Sequence, residues 1–303
     1  MRTVALAETD PGEPRVAMTP ESVARLHRLG GASIVVQSGI GQPIHVPDAA
    51  YAAAGASIAA TAEEALRDAD VLLRVGPPTE AEIAATPRGC VRIGFLDPFG
   101  GPDAVHRLAA AGITAVSMEL LPRTTLAQPM DALSSQHSLA GYAMAILAAQ
   151  RLDRVLPMMV TPSGTLKPAT VLVVGAGVAG LQAIATARRL GAKVEAFDTR
   201  PATREQVSSL GARFVEIDLG DGGGGETAGG YARELTDDQK RRQAEGLARH
   251  VASADILITT AAVFGRPAPR IITAEMVAGM KPGSVVVDYA AAGGGNVAGT
   301  VPG

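Results

Sequence analysis

The sequence predicts an α/β fold of two doubly wound parallel sheets joined by a linking helix. Three observations predict it. Short apolar runs alternate with helix-length amphipathic segments along the chain. One of those runs passes directly into a glycine-rich turn that opens a helix. The length, 303 residues, also exceeds what one core holds, since single cores stop growing near roughly 250–300 residues.

In the first half, "TVALAE" (3–8) is a short apolar strand. "TPESVARLHRLG" (19–30) has a Thr cap, Pro at the first helical position, Val23, Leu26 and Leu29 at helical spacing, and a Gly stop. "SIVVQ" (33–37) is a strand, and "PDAAYAAAG" (47–55) and "TAEEALRDA" (61–69) are helical. "DVLLRV" (70–75) and "CVRIGFL" (90–96) follow as strands, then a helix near 102–112 and the strand "ITAVSME" (113–119).

The second half repeats the pattern. "TVLVVGAGVAGLQAIATARRLG" (170–191) reads as strand, turn, helix and stop. "KVEAFD" (193–198), the helical "PATREQVSSLG" (201–211) and "RFVEID" (213–218) come next. "LGDGGGGETAGGY" (219–231) is too glycine-rich to pack and reads as a mobile excursion. A charged helix (237–252), "DILITT" (255–260), a short helix near 273–280 and "SVVVDYA" (284–290) complete the series. The boundary is placed between residues 1–134 and 135–303. Ser134 or Ser135 would cap a linking helix over 134–152, and the Pro- and Gly-rich 157–169 would lead into the second sheet.

Composition narrows the function. Hydrophobic residues make up 47% and charged ones 19%, enough apolar material for sizeable cores. A net charge of −3, with 3% aromatics and no Trp, gives neither a basic footprint nor stacking platforms for nucleic acid. Cys90 is the single cysteine, and the five histidines show no metal-ligand spacing, so no metal site is expected. The N-terminus meets acidic residues too early for a secretory signal, and no run approaches the ~18 apolar residues of a membrane span. A soluble chain in a reducing compartment is expected.

Gly175-Ala176-Gly177-Val178-Ala179-Gly180 fits G-x-G-x-x-G between a strand and a helix, and Asp198 ends the next strand 23 positions after Gly175. That context makes the second domain Rossmann-like and the ligand a dinucleotide. Gly175 permits the turn, Gly177 lets pyrophosphate approach backbone N–H groups, and Gly180 allows close helix–strand contact. Asp198 would accept from the adenosine ribose and repel a 2′-phosphate, favouring NAD over NADP. Thr199 and Arg200 follow it as further candidate contacts. Arg200 and Arg204 have the charge to attract a 2′-phosphate, although arginines at a helix start are commonly solvated.

The connector "LPRTTLAQPMDALSSQ" (121–136) carries Arg123, Gln128, Asp131 and Ser134, more hydrogen-bonding chemistry than a generic loop needs. A nicotinamide reaching into a cleft between the domains would need donors and acceptors, and these residues supply both. An Arg–Asp pair tying down a loop, with Ser134 as helix cap, explains them equally well.

Beyond these motifs, "LPRTTLAQPMDALSSQHSLAGY" strongly resembles the Arg–Gln–Asp loop of the NAD(H)-binding component of proton-translocating NAD(P) transhydrogenase. "PGEPRVAMTPESV", "FDTRPATREQVSSLGA", "ETAGGYARE", "ITTAAVFGRPAP" and "MKPGSVVVDYAAAGGGN" are similar to its segments in the same order. The resemblance implies that Arg123, Asp131 and Ser134 hold the nicotinamide carboxamide and that Gln128 sits beside the nicotinamide ribose and hydride path. It implies Tyr231 on a loop that closes over nucleotide, and Thr259, Thr260 and Ala261 along the cofactor. It further implies direct hydride transfer to NADP(H) on a partner domain, coupled to a membrane domain. Also implied are a homodimer and a cytoplasmic position held at the membrane's inner face through partners.

Two departures stand out. Leu126 replaces a second arginine of the family's loop, and the family continues past "GGN" through a further strand and helix, whereas this chain ends at Gly303. Two alternatives are an alanine dehydrogenase and a truncated, non-catalytic NAD-binding paralogue. Arg15 suits the former, but Arg74 and Asp97 stand where that family has its catalytic lysine and histidine, and arginine does not readily give up a proton.

Overall fold

The structure is a computed structural model and describes residues 1–30, 33–122, 124–220, 233–263 and 265–302. It divides into two compact units, Met1–Asp131 and Ala132–Gly303. Each is a parallel sheet with helices on its faces.

The first unit holds β1 (Arg2–Ala5), α1 (Pro20–Leu29), β2 (Ser33–Gln37), α2 (Asp48–Ala53), β3 (Ser57–Ala59), α3 (Ala62–Leu66), β4 (Val71–Leu73), α4 (Glu80–Ala85), β5 (Val91–Gly94), α5 (Pro102–Ala110) and β6 (Thr114–Ser117). The strand order is β3-β2-β1-β4-β5-β6, so the winding reverses between β1 and β4. Alternate residues of the central strands feed opposite cores: Val4, Val35 and Leu72 pack with Leu66, while Ala5, Ile34 and Val36 pack with Val23 and Tyr51. Pro20 opens α1 with the Thr19 hydroxyl accepting from the Ser22 N–H, as its sequence pattern predicts.

At the carboxyl ends of β1, β4 and β5 the first unit is filled by its own charges. The Arg74 guanidinium donates to Glu8 (3.3 Å) and to the Thr9 hydroxyl (2.5 Å), and pairs with Glu82. Glu8 also accepts from the N–H groups of Val75 and Gly76. Arg92, 1% exposed, donates to the Gly76 carbonyl (2.7 Å). Burial, with Arg74 beside it, pushes Arg92 down to about 10. The two arginines and two glutamates balance in charge.

The second unit begins with α6 (Ala132–Arg151) and an antiparallel hairpin, β7 (Met159–Thr161) and β8 (Gly164–Leu166). Then come β9 (Thr170–Val174), α7 (Val178–Arg189), β10 (Lys193–Phe197), α8 (Thr203–Ser209), β11 (Arg213–Phe214), α9 (Asp237–Ser253), β12 (Ile256–Thr259), α10 (Ala274–Ala278) and β13 (Val285–Asp288). The strand order is β11-β10-β9-β12-β13, reversing between β9 and β12. Val171 and Val173 face α6 and α7 through Met144, Ala148, Ala183 and Ile184. Leu172 and Val174 face α9 and α10 through Leu247, Val251 and Met276. A sheet covered on both faces explains the near-continuous apolar strands.

Several expectations change. The linking helix begins at Ala132, so Ser134 and Ser135 lie inside its first turn rather than at a cap. β3, α4 and the hairpin, which the sequence pattern leaves as connectors, are ordered elements. The strand expected over 213–218 pairs only at Arg213–Phe214.

Candidate nucleotide-binding site

β9 ends where the sheet reverses direction, the position at which ligands sit outside strand carboxyl ends in open α/β sheets. Gly175 follows it at φ +99°, and its N–H donates to the Phe197 carbonyl at 2.8 Å. A side chain at Gly175 would be strained there and would crowd the Thr260 hydroxyl. At Gly180 a Cβ would overlap the Gly175 carbonyl, so helix and turn touch with no atom to spare. At Gly177, in contrast, a Cβ would meet nothing within 4 Å. Open space beside that backbone is what a pyrophosphate requires. Gly177 caps α7 without a side-chain hydrogen bond, leaving the exposed Val178 and the buried Ala179 in a first turn whose N–H groups are available to an anion.

Asp198, at the end of β10, accepts from the Ala176 N–H (2.7 Å), which joins the turn to the neighbouring strand. It also accepts from Arg200 three times: the backbone N–H (2.8 Å), Nε (3.0 Å) and Nη2 (2.8 Å). Thr199 lies between them, half-buried. Thus Arg200 folds onto Asp198 rather than lying solvated.

After β12, the Thr260 N–H donates to the Val174 carbonyl (2.9 Å) and its hydroxyl to the Gly175 carbonyl (2.9 Å). The Thr259 side chain is fully buried and donates to Asp288 (3.0 Å). Ala261 is held by the buried Asn296 side chain, whose oxygen accepts from its N–H (3.0 Å) and whose amide donates to its carbonyl (2.7 Å) and to that of Pro269 (2.8 Å). Asp288 in turn accepts from the N–H groups of Ala290, Asn296 and Val297 and from the Thr300 hydroxyl. Sequence reasoning missed Asp288 and Asn296. The segments "VVVDY" and "GGGN" mark a strand end and a turn, but no spacing rule shows that the second returns beneath the loop after β12.

The turn, Asp198 and the Thr259–Ala261 loop therefore converge at one end of the second sheet. In the first unit, Gln128 is exposed and its carbonyl accepts from the Asp131 N–H (3.2 Å). Ser134 is half-buried in the first turn of α6. Arg123 and Tyr231 lie outside the described residues. Among the described residues no group of His, Cys, Asp and Glu is placed to hold a metal ion, and no helix is long and apolar enough to cross a membrane.

A glycine turn with open space beside its backbone, at the reversal point of a parallel sheet, defines a doubly wound α/β protein of the dinucleotide-binding type. Residues 4–140 match the alanine dehydrogenase/PNT N-terminal domain and residues 144–303 the alanine dehydrogenase/PNT C-terminal domain. The chain belongs to the alanine dehydrogenase/PNT family. It is 47% identical to an NAD(P) transhydrogenase subunit alpha protein of Rhodospirillum rubrum, over all of this chain and 80% of that protein. A crystal structure of transhydrogenase from Sinorhizobium meliloti superposes with a TM-score of 0.86 at 47% identity, over 99% of this chain and 81% of that one. Alanine dehydrogenase of Mycobacterium tuberculosis is a more distant relative, 32% identical over all of this chain and 76% of its own.

Proposed function

We propose that the chain is the NAD(H)-binding component of a proton-translocating NAD(P) transhydrogenase, exchanging hydride between NAD(H) held here and NADP(H) held on a partner domain. The observation that carries the reading is the open backbone at Gly177, the N-cap of a helix that no side chain caps. Gly177, Val178 and Ala179 would face the pyrophosphate, Gly175 and Gly180 would shape the turn that presents them, and Asp198 would hold the adenosine ribose. Thr260 and Ala261 would border the nucleotide, with Thr259 fixing their loop from beneath. Gln128, Asp131 and Ser134, with Arg123, would orient the nicotinamide end. NAD(H) itself supplies the hydride chemistry, so the chain needs no acid, base or nucleophile. Its residues bind NAD(H) and orient its nicotinamide.

Alanine dehydrogenase activity is disfavoured by Arg74. Its guanidinium is buried among Glu8, Thr9 and Glu82 and is not free to exchange a proton with a substrate. A homodimer fits the exposed Leu139, Tyr142 and Leu147 of α6 and the exposed Met159, Val160 and Leu166 of the hairpin. Partner subunits would hold the chain at the membrane's inner face.

The test is cyclic hydride exchange: purified protein, NADH, an oxidised NAD analogue and a soluble NADP-binding transhydrogenase domain carrying NADP. Exchange that falls at least tenfold in Gln128→Asn or Asp131→Asn supports the reading. NADH binding without exchange would leave a non-catalytic nucleotide-binding protein.

A further inference from the structure

We propose that Arg200 competes with the nucleotide for Asp198, and thereby sets both the affinity for NAD(H) and the margin against a 2′-phosphorylated nucleotide. The inference rests on the nucleotide-binding reading above. A carboxylate offers about four lone-pair sites. On Asp198 all four are taken: Oδ1 by the Arg200 N–H and Nε, Oδ2 by the Ala176 N–H and Arg200 Nη2. Two of these donors are backbone groups fixed by the glycine turn and by the strand end. The two guanidinium bonds are the ones a side-chain rotation can release.

Adenosine ribose hydroxyls donating to Asp198 must therefore take the places of Nε and Nη2. The side chains are 6% and 16% exposed, so the fork is largely withdrawn from water and costs more to open than a surface ion pair. Once released, the guanidinium stays two residues from Asp198, near the ribose 2′ position. For NAD(H) it is a displaced competitor. For a 2′-phosphate it is a counter-ion. One side chain thus weakens the preferred ligand and tolerates the disfavoured one.

The experiment titrates the protein with NADH and, separately, with NADPH, following nicotinamide fluorescence. Arg200→Ala is expected to bind NADH roughly three- to tenfold tighter and NADPH weaker by a comparable factor, as an opened fork and a lost counter-ion require. Arg200→Lys keeps the charge without the fork, so NADH should tighten while NADPH stays near wild type. A general loosening of the fold would weaken both ligands together. Unchanged or weaker NADH binding in Arg200→Ala overturns the proposal and makes Arg200 a direct nucleotide contact or a loop anchor. Gly177→Val in the same titration addresses the underlying reading. If it binds NADH like wild type, the nucleotide lies elsewhere and the proposal falls with the site.

Discussion

Single residues of the second unit carry the site through contacts that leave no slack. Gly180→Ala places a methyl on the Gly175 carbonyl. The helix start must shift, at a cost of roughly 1–3 kcal/mol as in other overpacked sites. The variant is expected to unfold at lower urea concentration and to lose most NADH affinity in a fluorescence titration. Asn296→Ala removes three hydrogen bonds around Ala261 and strands buried backbone groups. A loss of roughly 2–4 kcal/mol is expected, seen as a lower denaturation midpoint at unchanged slope. NADH binding should weaken with it, since Thr260 and Ala261 lose their anchor. Unaltered binding in a folded Asn296→Ala protein would mean the loop needs no clamp.

Among the elements, α6 and α7 pack against each other next to the glycine turn. Gly141 of α6 lies so close to the first turn of α7 that a Cβ would overlap the Ala179 carbonyl. Gly141→Val should push the helices apart, lower stability by roughly 1–3 kcal/mol and displace the glycine turn proposed to take the pyrophosphate. A variant that melts and binds NADH like wild type would show that helix spacing does not govern the turn. The same elements show what the sequence discloses. The strand, glycine turn and helix at 170–189 are visible because each glycine meets a steric demand that the pattern encodes. β3 is not: Ser57–Ala59 is three residues long, two of them exposed, and lacks the apolar alternation of a half-buried strand. α4 does carry a signal, since Thr79 and Glu82 form a capping box, but its six residues are too short for helical periodicity. The hairpin turns at "TPSG" in a stretch rich in loop formers, so its strands read as linker. Ser134 suits a helix cap because serine caps helices well, yet the helix starts at Ala132, immediately after Asp131. The site divides the same way. Gly175, Gly177, Gly180 and Asp198 are local and legible, whereas the Asp288–Asn296 clamp and the Arg200 fork depend on tertiary placement and rotamer.

At the scale of the whole chain, stability of the second unit should depend on pH through Asp255. This carboxylate is buried, which raises its affinity for a proton, but the Thr170 N–H (2.7 Å), Lys281 (2.9 Å) and Arg154 (3.0 Å) outweigh that and hold it below the usual aspartate range. A depressed carboxylate contributes stability above its unfolded value, near pH 4, and that contribution is lost as pH falls toward the folded value. The melting temperature should therefore drop as pH falls from about 5 to about 3. Asp255→Asn should be destabilised at neutral pH by roughly 1–3 kcal/mol and should fall less steeply on acidification. An equally steep fall in Asp255→Asn would assign the dependence to other carboxylates.

The Asn296 clamp also gives the protein a birth order. The chain leaves the ribosome from its N-terminus, so the glycine turn emerges ~120 residues before the side chain that anchors Ala261, an interval of roughly 6–24 s at 5–20 residues per second. Throughout that interval the newborn chain carries the turn without the finished loop beside it. Occupancy by nucleotide thus waits on the emergence of Asn296, and a released fragment ending short of Asn296 should be held by immobilised NAD far less well than one that runs through Thr300.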